Sequence, residues 1–173
     1  MTSPTALRRA GAGADTETVD AFHRGRFSVV QPRGRGHRSG MDAMMLAAAV
    51  PGSFAGRLAD LGAGAGAAGL AVASRCPNAY VLLVEKSPEM AAFARKSIAL
   101  DENSHLAGRA EVLEADVSLA GPARSAAGLG DGAFDFAIMN PPFNPAHDRS
   151  TPDALKQQAH VMAGDLLDKW VRT

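Results

Sequence analysis

Short apolar segments alternate with segments of helical periodicity between residues 57 and 139, and this alternation constrains the fold more than any other feature. The strand-like segments are residues 57–61, 79–85, 110–115 and 134–139, and the helical segments between them include residues 67–75 and 87–100. Strands that alternate with helices across short turns form a parallel sheet with helices on both faces. The predicted fold class is therefore α/β with a parallel sheet.

The amino-terminal part of the chain lacks this regularity. Residues 1–21 are rich in Ala, Gly, Thr and Ser without apolar periodicity, which predicts a disordered tail. Ordered structure is expected to begin at Phe22, so that residues 22–173 form a single domain. A short strand is expected near Val29 and is stopped by Pro32.

Two further helices are expected outside the alternating region. Asp42 is expected to cap a helix that ends at Pro51, because aspartate is a favoured capping residue and proline cannot continue a helix. A last helix is expected from Thr151 to Trp170, with a break at Gly164.

The composition argues against several classes of protein. Basic and acidic side chains number 18 each, so a globally electrostatic nucleic-acid binder is not indicated. The single cysteine, Cys76, excludes an internal disulfide framework and a Cys-rich zinc site, and the five histidines lack metal-ligand spacing, so no metal is assigned. No apolar run approaches the roughly 18 residues of a membrane span, and no signal peptide is evident. A cytoplasmic protein without a membrane partner is the expectation.

One stretch departs from this neutral balance. Residues 22–40 contain five arginines, two histidines and no acidic residue. The arginines are Arg24, Arg26, Arg33, Arg35 and Arg38. Such a stretch is either a solvated arm or a strip that faces the phosphates of a nucleic acid.

A glycine-rich turn follows the first strand of the alternating region. Ligands of parallel sheets bind at the carboxyl ends of the strands, where Gly62, Gly64 and Gly66 let the backbone turn sharply and approach a ligand closely. The spacing is G-x-G-x-G, and Asp60 stands two residues before the first glycine. A carboxylate there repels a pyrophosphate and suits a cationic ligand group, which disfavours a nicotinamide dinucleotide.

Carboxylates also follow the second and third strands. Glu85 lies 25 residues after Asp60, at a position where a carboxylate accepts hydrogen bonds from both hydroxyl groups of a ribose. Asp116 follows the third strand and is placed to accept a hydrogen bond from the exocyclic amine of an adenine. Simple strand-end charges are the alternative interpretation of both residues.

The fourth strand is followed by the tetrapeptide Asn140-Pro141-Pro142-Phe143, which is the most informative in the chain. Two prolines stiffen the backbone and remove two donors. The side-chain carbonyl of Asn140 and the main-chain carbonyl of Pro141 can then accept both hydrogens of one planar amine, which directs the nitrogen lone pair toward an electrophile. Phe143 offers a face on which a planar group can stack. A rigid turn without a ligand is the alternative.

Together these residues resemble the class I methyltransferases that use S-adenosylmethionine, in the amino-methylating branch with an Asn/Asp-Pro-Pro-aromatic motif. Residues 31–51 resemble the corresponding segment of bacterial adenine-N6 methyltransferases that act on valine tRNA. In these enzymes a Gly-x-Asp element before a helix helps to close the cofactor pocket, and here it reads Gly40-Met41-Asp42. The resemblance covers residues 22–170 and implies a Rossmann-like sheet.

The resemblance also implies a role for each site residue. S-adenosylmethionine is the implied cofactor and a tRNA the implied partner. The implied cofactor-binding residues are Asp42, Asp60 (near the ammonium group), Gly62, Gly64 and Gly66 (under the methionine part), Glu85 (on the ribose) and Asp116 (toward the adenine). The implied catalytic residues are Asn140, Pro141, Pro142 and Phe143, with Asn140 and Pro141 on the target amine and Phe143 on the target base. A paired base would have to be flipped out of its helix to reach Phe143.

Members of this family continue with about three more strands after the fourth. The sheet is therefore expected to be truncated after the fourth strand and the following helix. An unpaired fourth strand would leave an apolar edge, which favours self-association.

Other functions compete with transfer to adenine N6. The same tetrapeptide suits the guanine N2 of a ribosomal RNA or the glutamine amide of a release factor, because each presents a planar NH2 group. A non-catalytic Rossmann-like binding module is a further alternative. A nicotinamide-dependent oxidoreductase is disfavoured by Asp60.

Overall fold

The computed structural model describes residues 16–34, 38–141, 144–145 and 161–162. The strands are β1 (Glu17–Phe22), β2 (Phe27–Pro32), β3 (Ala55–Leu61), β4 (Asn78–Glu85), β5 (Ala110–Glu114), β6 (Phe136–Met139), β7 (Asn144–Pro145) and β8 (Val161–Met162). The helices are α1 (Met41–Ala48), α2 (Ala67–Arg75), α3 (Pro88–Ile98) and α4 (Gly121–Ala126), with a 3₁₀ helix at Asp101–Leu106.

The central sheet has four parallel strands in the order β5-β4-β3-β6, which confirms the predicted α/β fold. Strand β3 pairs with β4 on one side and with β6 on the other, so β6 is an edge of this sheet within the described residues. Because the strands are parallel, the residues that follow β3, β4, β5 and β6 emerge at one edge.

Helix α2 lies unusually close to the sheet because glycine replaces side chains at the contact. A Cβ atom on Gly69 would lie 2.3 Å from Leu83 Cδ2 and 2.9 Å from Val81 Cγ1. The same atom on Gly66, which has a φ of +91°, would lie 2.7 Å from Leu83 Cδ1. Only residues without a side chain fit there, and this contact sets the position of the turn that precedes α2.

Helix α3 begins as the sequence predicts. Ser87 is its N-cap and its Oγ accepts a hydrogen bond of 3.4 Å from the Met90 amide, while Pro88 occupies the first helical position. Phe93 and Ala94 are buried in the main hydrophobic core, on the face of the helix that packs against the sheet and β2.

An antiparallel hairpin of β1 and β2 precedes the sheet and corrects the predicted boundary of the ordered domain. Order was expected from Phe22, but β1 begins at Glu17. Strand β1 is half-exposed and lacks the apolar pattern that would have predicted a strand. Pairing with the fully buried β2 stabilises it instead. The predicted disorder of residues 1–15 lies outside the described residues.

Side chains dock strand β2 onto the body of the protein. The Ser28 amide donates a hydrogen bond of 2.9 Å to Asn103 Oδ1, and Asn103 Nδ2 donates one of 2.6 Å to the Ser28 carbonyl. The Val30 amide donates one of 2.9 Å to Ser97 Oγ. Asn103 and Ser97 are both fully buried, and they supply main-chain groups of β2 with the hydrogen bonds that a neighbouring strand would otherwise make.

Two details of the predicted helices are wrong. The N-cap of α1 is Gly40, and Asp42 lies in the first turn, where its Oδ1 accepts a hydrogen bond of 3.1 Å from the Gly40 amide. Residues 161 and 162, expected within the last helix, form strand β8 and pair with β7, because tertiary pairing overrides helical periodicity. The rest of that predicted helix lies outside the described residues.

Among the described residues, no helix combines the length and the apolar character that crossing a membrane requires.

The close packing of α2 predicts a large cost for any side chain at residue 69. We expect Gly69→Ala to lower the free energy of unfolding by about 1–3 kcal/mol, because the new methyl group overlaps Leu83. Urea unfolding followed by circular dichroism measures this change. Gly130→Ala is the control, since no atom lies within 4 Å of its Cβ position. Equal stabilities of the two variants would contradict the packing argument.

Candidate active site

The turn between β3 and α2 depends on three glycines with left-handed backbone conformations. Gly62, Gly64 and Gly66 have φ values of +73°, +58° and +91°. The Gly62 and Ala63 amides each donate a hydrogen bond of 2.9 Å to the Val84 carbonyl, so the turn folds over the end of β4. A Cβ atom on Gly64 would approach nothing more closely than Met90 Cε at 3.9 Å. The turn is therefore open at Gly64, whereas Gly66 packs against the core.

The carboxylate of Glu85 fixes this turn to the end of β4. Its Oε2 accepts a hydrogen bond of 2.8 Å from the Gly64 amide, and its Oε1 accepts one of 2.7 Å from the Ser87 amide. Each oxygen has a second lone pair, and Glu85 is only half-buried. Glu85 is thus an oriented acceptor beside an open backbone turn, and its predicted role as a ribose-binding residue stays a prediction.

Asp60 lies beneath the turn and faces helix α2. Its side chain is 3% exposed, and its Oδ2 accepts a hydrogen bond of 2.8 Å from the Gly69 amide. Gly69 is the third residue of α2, so Asp60 satisfies one of the amides that a helix leaves unpaired at its start. The predicted contact of Asp60 with an ammonium group stays a prediction.

Burial changes the acidity of Asp60. Desolvation raises the pKa of this carboxyl from 3.8 to about 7, and the nearby charge of Glu85 adds to the increase, while the hydrogen bond from Gly69 opposes it. The neutral form is therefore present in a substantial share of molecules near pH 7.

Asp116 follows β5 and is held by two neighbours. Its Oδ1 accepts hydrogen bonds from the Ser118 amide (2.8 Å) and hydroxyl (2.7 Å), and its Oδ2 lies 2.6 Å from Lys86 Nζ. Desolvation alone would raise the pKa of Asp116, but the hydrogen bonds from Lys86 and Ser118, with the charge of Lys86, lower it below its ordinary value. Sequence analysis missed Lys86, which follows Glu85 directly.

Asn140 is brought to the amino-terminal end of α1. Its Nδ2 donates a hydrogen bond of 2.8 Å to Asp42 Oδ2, across 98 residues of sequence. Both side chains are exposed, at the end of β6 and in the first turn of α1. Two motifs that the sequence only suggested separately are thus in direct contact. Pro141 is half-buried, and Pro142 and Phe143 lie outside the described residues.

Among the described residues, the arginines of the basic stretch do not form one strip, and Arg35 lies outside the described residues. Arg38 lies 2.5 Å from Asp20 Oδ2 and donates a hydrogen bond of 3.0 Å to the Pro32 carbonyl. Arg24 and Arg26 lie in the exposed turn between β1 and β2. That turn adjoins Ser28, which contacts Asn103 beyond the end of α3, whereas α3 begins beside Glu85. Arg24 and Arg26 therefore lie toward the end of the molecule opposite the strand ends.

No cluster of three or more His, Cys, Asp or Glu side chains suited to a metal ion occurs in the part of the chain that the structure describes. A cavity of about 250 Å³ lies on the sheet beside β3 and β6, with Leu61, Leu129 and Phe134 in its wall. None of the strand-end residues discussed above lines this cavity. The candidate site is the open edge of the sheet.

This sheet edge, with its glycine turn and oriented carboxylate, is that of a methyltransferase. The chain matches the family described as the methyltransferase small domain over residues 38–169, and it belongs to that family. It is similar to the ribosomal RNA large subunit methyltransferase G of Streptomyces coelicolor, with 36% identity over 101 residues, or 58% of this chain and 23% of that protein. It is also similar to the release factor glutamine methyltransferase of Deinococcus radiodurans, with 36% identity over 104 residues, or 56% of this chain and 30% of that protein. The chain thus spans less than a third of the length of these curated relatives.

A solved structure is similar to this chain in both fold and sequence. The crystal structure of a protein described as a predicted O-methyltransferase from Agrobacterium tumefaciens superposes with a TM-score of 0.60 and 46% sequence identity. The match covers 75% of this chain and 52% of that chain. The Rossmann-like fold and the class I methyltransferase family that the sequence resemblance implied are confirmed, whereas the resemblance to the adenine-N6 branch stays a prediction.

S-adenosylmethionine is the cofactor of this family, and the residues at the sheet edge fit it. The turn at Gly64 is open where a Cβ atom would point, so a ligand can approach its backbone. The Glu85 carboxylate is already oriented by two amides and has lone pairs left for two hydroxyl groups.

The raised pKa of Asp60 predicts a specific dependence of stability on pH. The folded chain holds this proton up to about pH 7 and the unfolded chain releases it near pH 3.8, so the stability of the fold falls as the pH rises between these values. Asp60→Asn keeps an oxygen for the Gly69 amide and has no proton to lose. We expect the variant to exceed the wild type in free energy of unfolding at pH 8 by on the order of 4 kcal/mol, and by much less at pH 4.

Urea unfolding at pH 4, 5, 6, 7 and 8 measures this difference. The lowered pKa of Asp116 affects stability only toward pH 4, and it affects the wild type and the variant equally, so it cancels in their difference. Asp101→Asn, at an exposed position of the 3₁₀ helix, is the control and is expected to follow the wild type. A constant difference between Asp60→Asn and the wild type at every pH would show that burial does not raise this pKa.

Proposed function

We propose that this chain forms the cofactor- and amine-binding part of an N-methyltransferase that transfers a methyl group from S-adenosylmethionine to an exocyclic NH2 group of an RNA base. Adenine N6 of a tRNA is the first substrate to test. The observation that carries the proposal is the hydrogen bond from Asn140 to Asp42, because it joins the Gly40-Met41-Asp42 element to the amine-binding motif at the cofactor edge of the sheet. Such a substrate implies action in the cytoplasm.

The proposed reaction needs alignment more than proton transfer. Methyl transfer from a sulfonium is an in-line displacement, in which the amine nitrogen forms a bond to the methyl carbon as the carbon–sulfur bond breaks. S-adenosylhomocysteine leaves as a neutral thioether, and the methylated nitrogen then loses one proton to water. Asn140 Oδ1 and the Pro141 carbonyl accept the two amine hydrogens and direct the nitrogen lone pair. Glu85 holds the ribose, and the backbone at Gly62 and Gly64 lies along the methionine part.

We propose nitrogen, rather than oxygen, as the atom that receives the methyl group, because the site offers two carbonyl groups. Two carbonyl acceptors match an NH2 group, which has two hydrogens, whereas a hydroxyl group would leave one carbonyl unpaired. The relative from Agrobacterium tumefaciens is described as an O-methyltransferase. A hydroxyl acceptor is therefore included in the assay as the competing outcome.

The choice of RNA rests on one relative and on the exposed arginines. The Streptomyces coelicolor relative is named for ribosomal RNA, and the Deinococcus radiodurans relative for a glutamine in a release factor. Both names fit a planar NH2 group. Arg24 and Arg26 are exposed in the turn between β1 and β2, away from the sheet edge. A substrate that contacts both these arginines and the site must therefore be an extended polyanion, as an RNA is.

A labelling assay with radioactive S-adenosylmethionine separates these substrates. The full chain is incubated with total tRNA, ribosomal RNA, a release factor and a catechol, with and without ribonuclease. We expect the tRNA to become labelled, and the label to be lost when ribonuclease is added. Digestion of the labelled tRNA to nucleosides should then yield N6-methyladenosine. Label in ribosomal RNA would change the target base, and label in the release factor or the catechol alone would overturn the proposal.

Replacement of Asn140 is expected to abolish transfer without loss of the cofactor. Asn140→Ala removes one of the two amine acceptors but none of the residues proposed to contact S-adenosylmethionine. We expect kcat to fall by at least about 100-fold, as for other residues that act on the reacting group, while the Kd for S-adenosylmethionine changes by less than about twofold. Steady-state kinetics measure kcat, and calorimetry measures the Kd for S-adenosylmethionine. A large loss of cofactor affinity would contradict the assigned role.

Replacement of Glu85 is expected to have the opposite effect. Glu85→Ala removes the proposed ribose acceptor and frees the Gly64 and Ser87 amides. We expect weaker binding of S-adenosylmethionine by roughly 1–3 kcal/mol, the cost of unpaired polar groups. Calorimetry measures the Kd, and Glu111→Ala, at an exposed position of β5, is the control. An unchanged Kd for Glu85→Ala would exclude Glu85 from the cofactor site.

A further inference from the structure

The orientation of the Asn140 side chain is determined by its partner. A carboxylate accepts hydrogen bonds and donates none, so Asn140 can meet Asp42 only with its NH2 group. The side-chain carbonyl of Asn140 is then directed away from Asp42. This carbonyl is the atom that an incoming amine requires.

Asp42 is itself held in place from two sides. Its Oδ1 accepts the hydrogen bond from the Gly40 amide, which leaves Oδ2 for Asn140. The preceding segment is fastened to the hairpin, because the Ser39 amide donates a hydrogen bond of 2.7 Å to Oε1 of the buried Gln31. Gln31 Nε2 in turn donates one of 2.7 Å to Asp20. An exposed carboxylate thus has a defined position.

Helix α1, which carries Asp42, is also fixed at its other end. The Arg75 guanidinium donates hydrogen bonds to the Ala47 carbonyl and, at 2.9 Å, to the Val50 carbonyl. Ala43 and Ala47 are buried in the core. The position of Asp42 therefore follows from the packing of α1 and from the hairpin, not from the end of β6 that it contacts.

We infer that Asp42 is a positioning residue for the amine-binding Asn140: it accepts the Asn140 NH2 group and so presents the Asn140 carbonyl to the target amine. This inference rests on the proposed function and assigns Asp42 a role other than the cofactor contact that the sequence resemblance implied. Polar groups in fixed orientations lower the reorganisation that accompanies the reaction.

The amide substitution at Asp42 gives a sharp test. In Asp42→Asn the Gly40 amide still requires an acceptor, so the new side chain turns its oxygen to Gly40 and its NH2 group to Asn140. Asn140 must then turn its carbonyl toward residue 42 and its NH2 group toward the substrate. We expect kcat to fall by about 10- to 100-fold with an unchanged Kd for S-adenosylmethionine.

Exchange of the two side chains should restore the arrangement. Asn140→Asp alone places two carboxylates against each other, and like charges at this distance repel. The double variant Asp42→Asn with Asn140→Asp again pairs one NH2 group with one carboxylate and leaves a carboxylate oxygen for the amine. We expect its kcat to exceed that of either single variant by at least about tenfold.

Kinetics and calorimetry on the full chain measure these outcomes, with Asp101→Asn as an exposed control that keeps wild-type kcat. A double variant no more active than its better parent would overturn the inference. So would a loss of S-adenosylmethionine affinity in Asp42→Asn, which would make Asp42 a cofactor ligand.

A measurement that does not depend on enzymatic activity separates this inference from the proposed function. The side-chain amide signals of Asn140 in nitrogen-15 NMR spectra are expected to shift in Asp42→Asn and to remain unchanged in Asp101→Asn. If the wild type methylates no NH2 acceptor but this shift occurs, the proposed function fails while the pairing stands. If the wild type is active and Asp42→Asn neither shifts the signals nor slows transfer, the positioning role is wrong.

Discussion

The close approach of helix α2 to the parallel sheet is the constraint on which the site depends. Gly69 and Gly66 have no side chains where Leu83 packs against them, so α2 can lie directly on β3 and β4. This contact brings the Gly69 amide within 2.8 Å of Asp60 at the end of β3. The same contact draws the glycine turn over the end of β4 and leaves it open at Gly64.

Two carboxylates at the sheet edge, Glu85 and Asp60, are held by main-chain amides, whereas Asp116 and Asp42 pair with other side chains. Glu85 receives the amides of Gly64 and Ser87, so one carboxylate joins the turn after β3 to the start of α3. Asp116 is joined to the neighbouring Lys86. On the other side of the turn, the hairpin and α1 place Asp42 against Asn140. A rigid arrangement of this kind suits a reaction that requires alignment.

Local signals in the sequence were sufficient where the local chain determines its own structure. Helix α2 begins and ends at the predicted residues, because glycine precedes it and Cys76-Pro77 follows it. Helix α3 likewise lies within its predicted segment, residues 87–100, because Ser87 caps it and Pro88 follows. Strand β1 was missed, since its polar residues are ordered by pairing with β2, which the periodicity of a single strand does not reveal.

The sequence predicted which types of residue lie at the ends of the strands, but not which neighbours their side chains contact. That carboxylates follow three strands was evident from the sequence, but the direction of each side chain was not. Asp60 turns inward to Gly69, Asp116 pairs with Lys86, and Asp42 contacts a residue 98 positions away. Such contacts depend on how elements pack, and residue order alone does not determine them.

The central claim is that the carboxyl edge of β3 and β4 holds S-adenosylmethionine beside Asn140. A crystal structure of the chain grown with S-adenosylmethionine tests this claim most directly. The account predicts ribose hydroxyl groups on Glu85, the methionine part along Gly62 and Gly64, and the methyl group directed toward the end of β6. A cofactor bound elsewhere, or a methyl group turned away from Asn140, would contradict it.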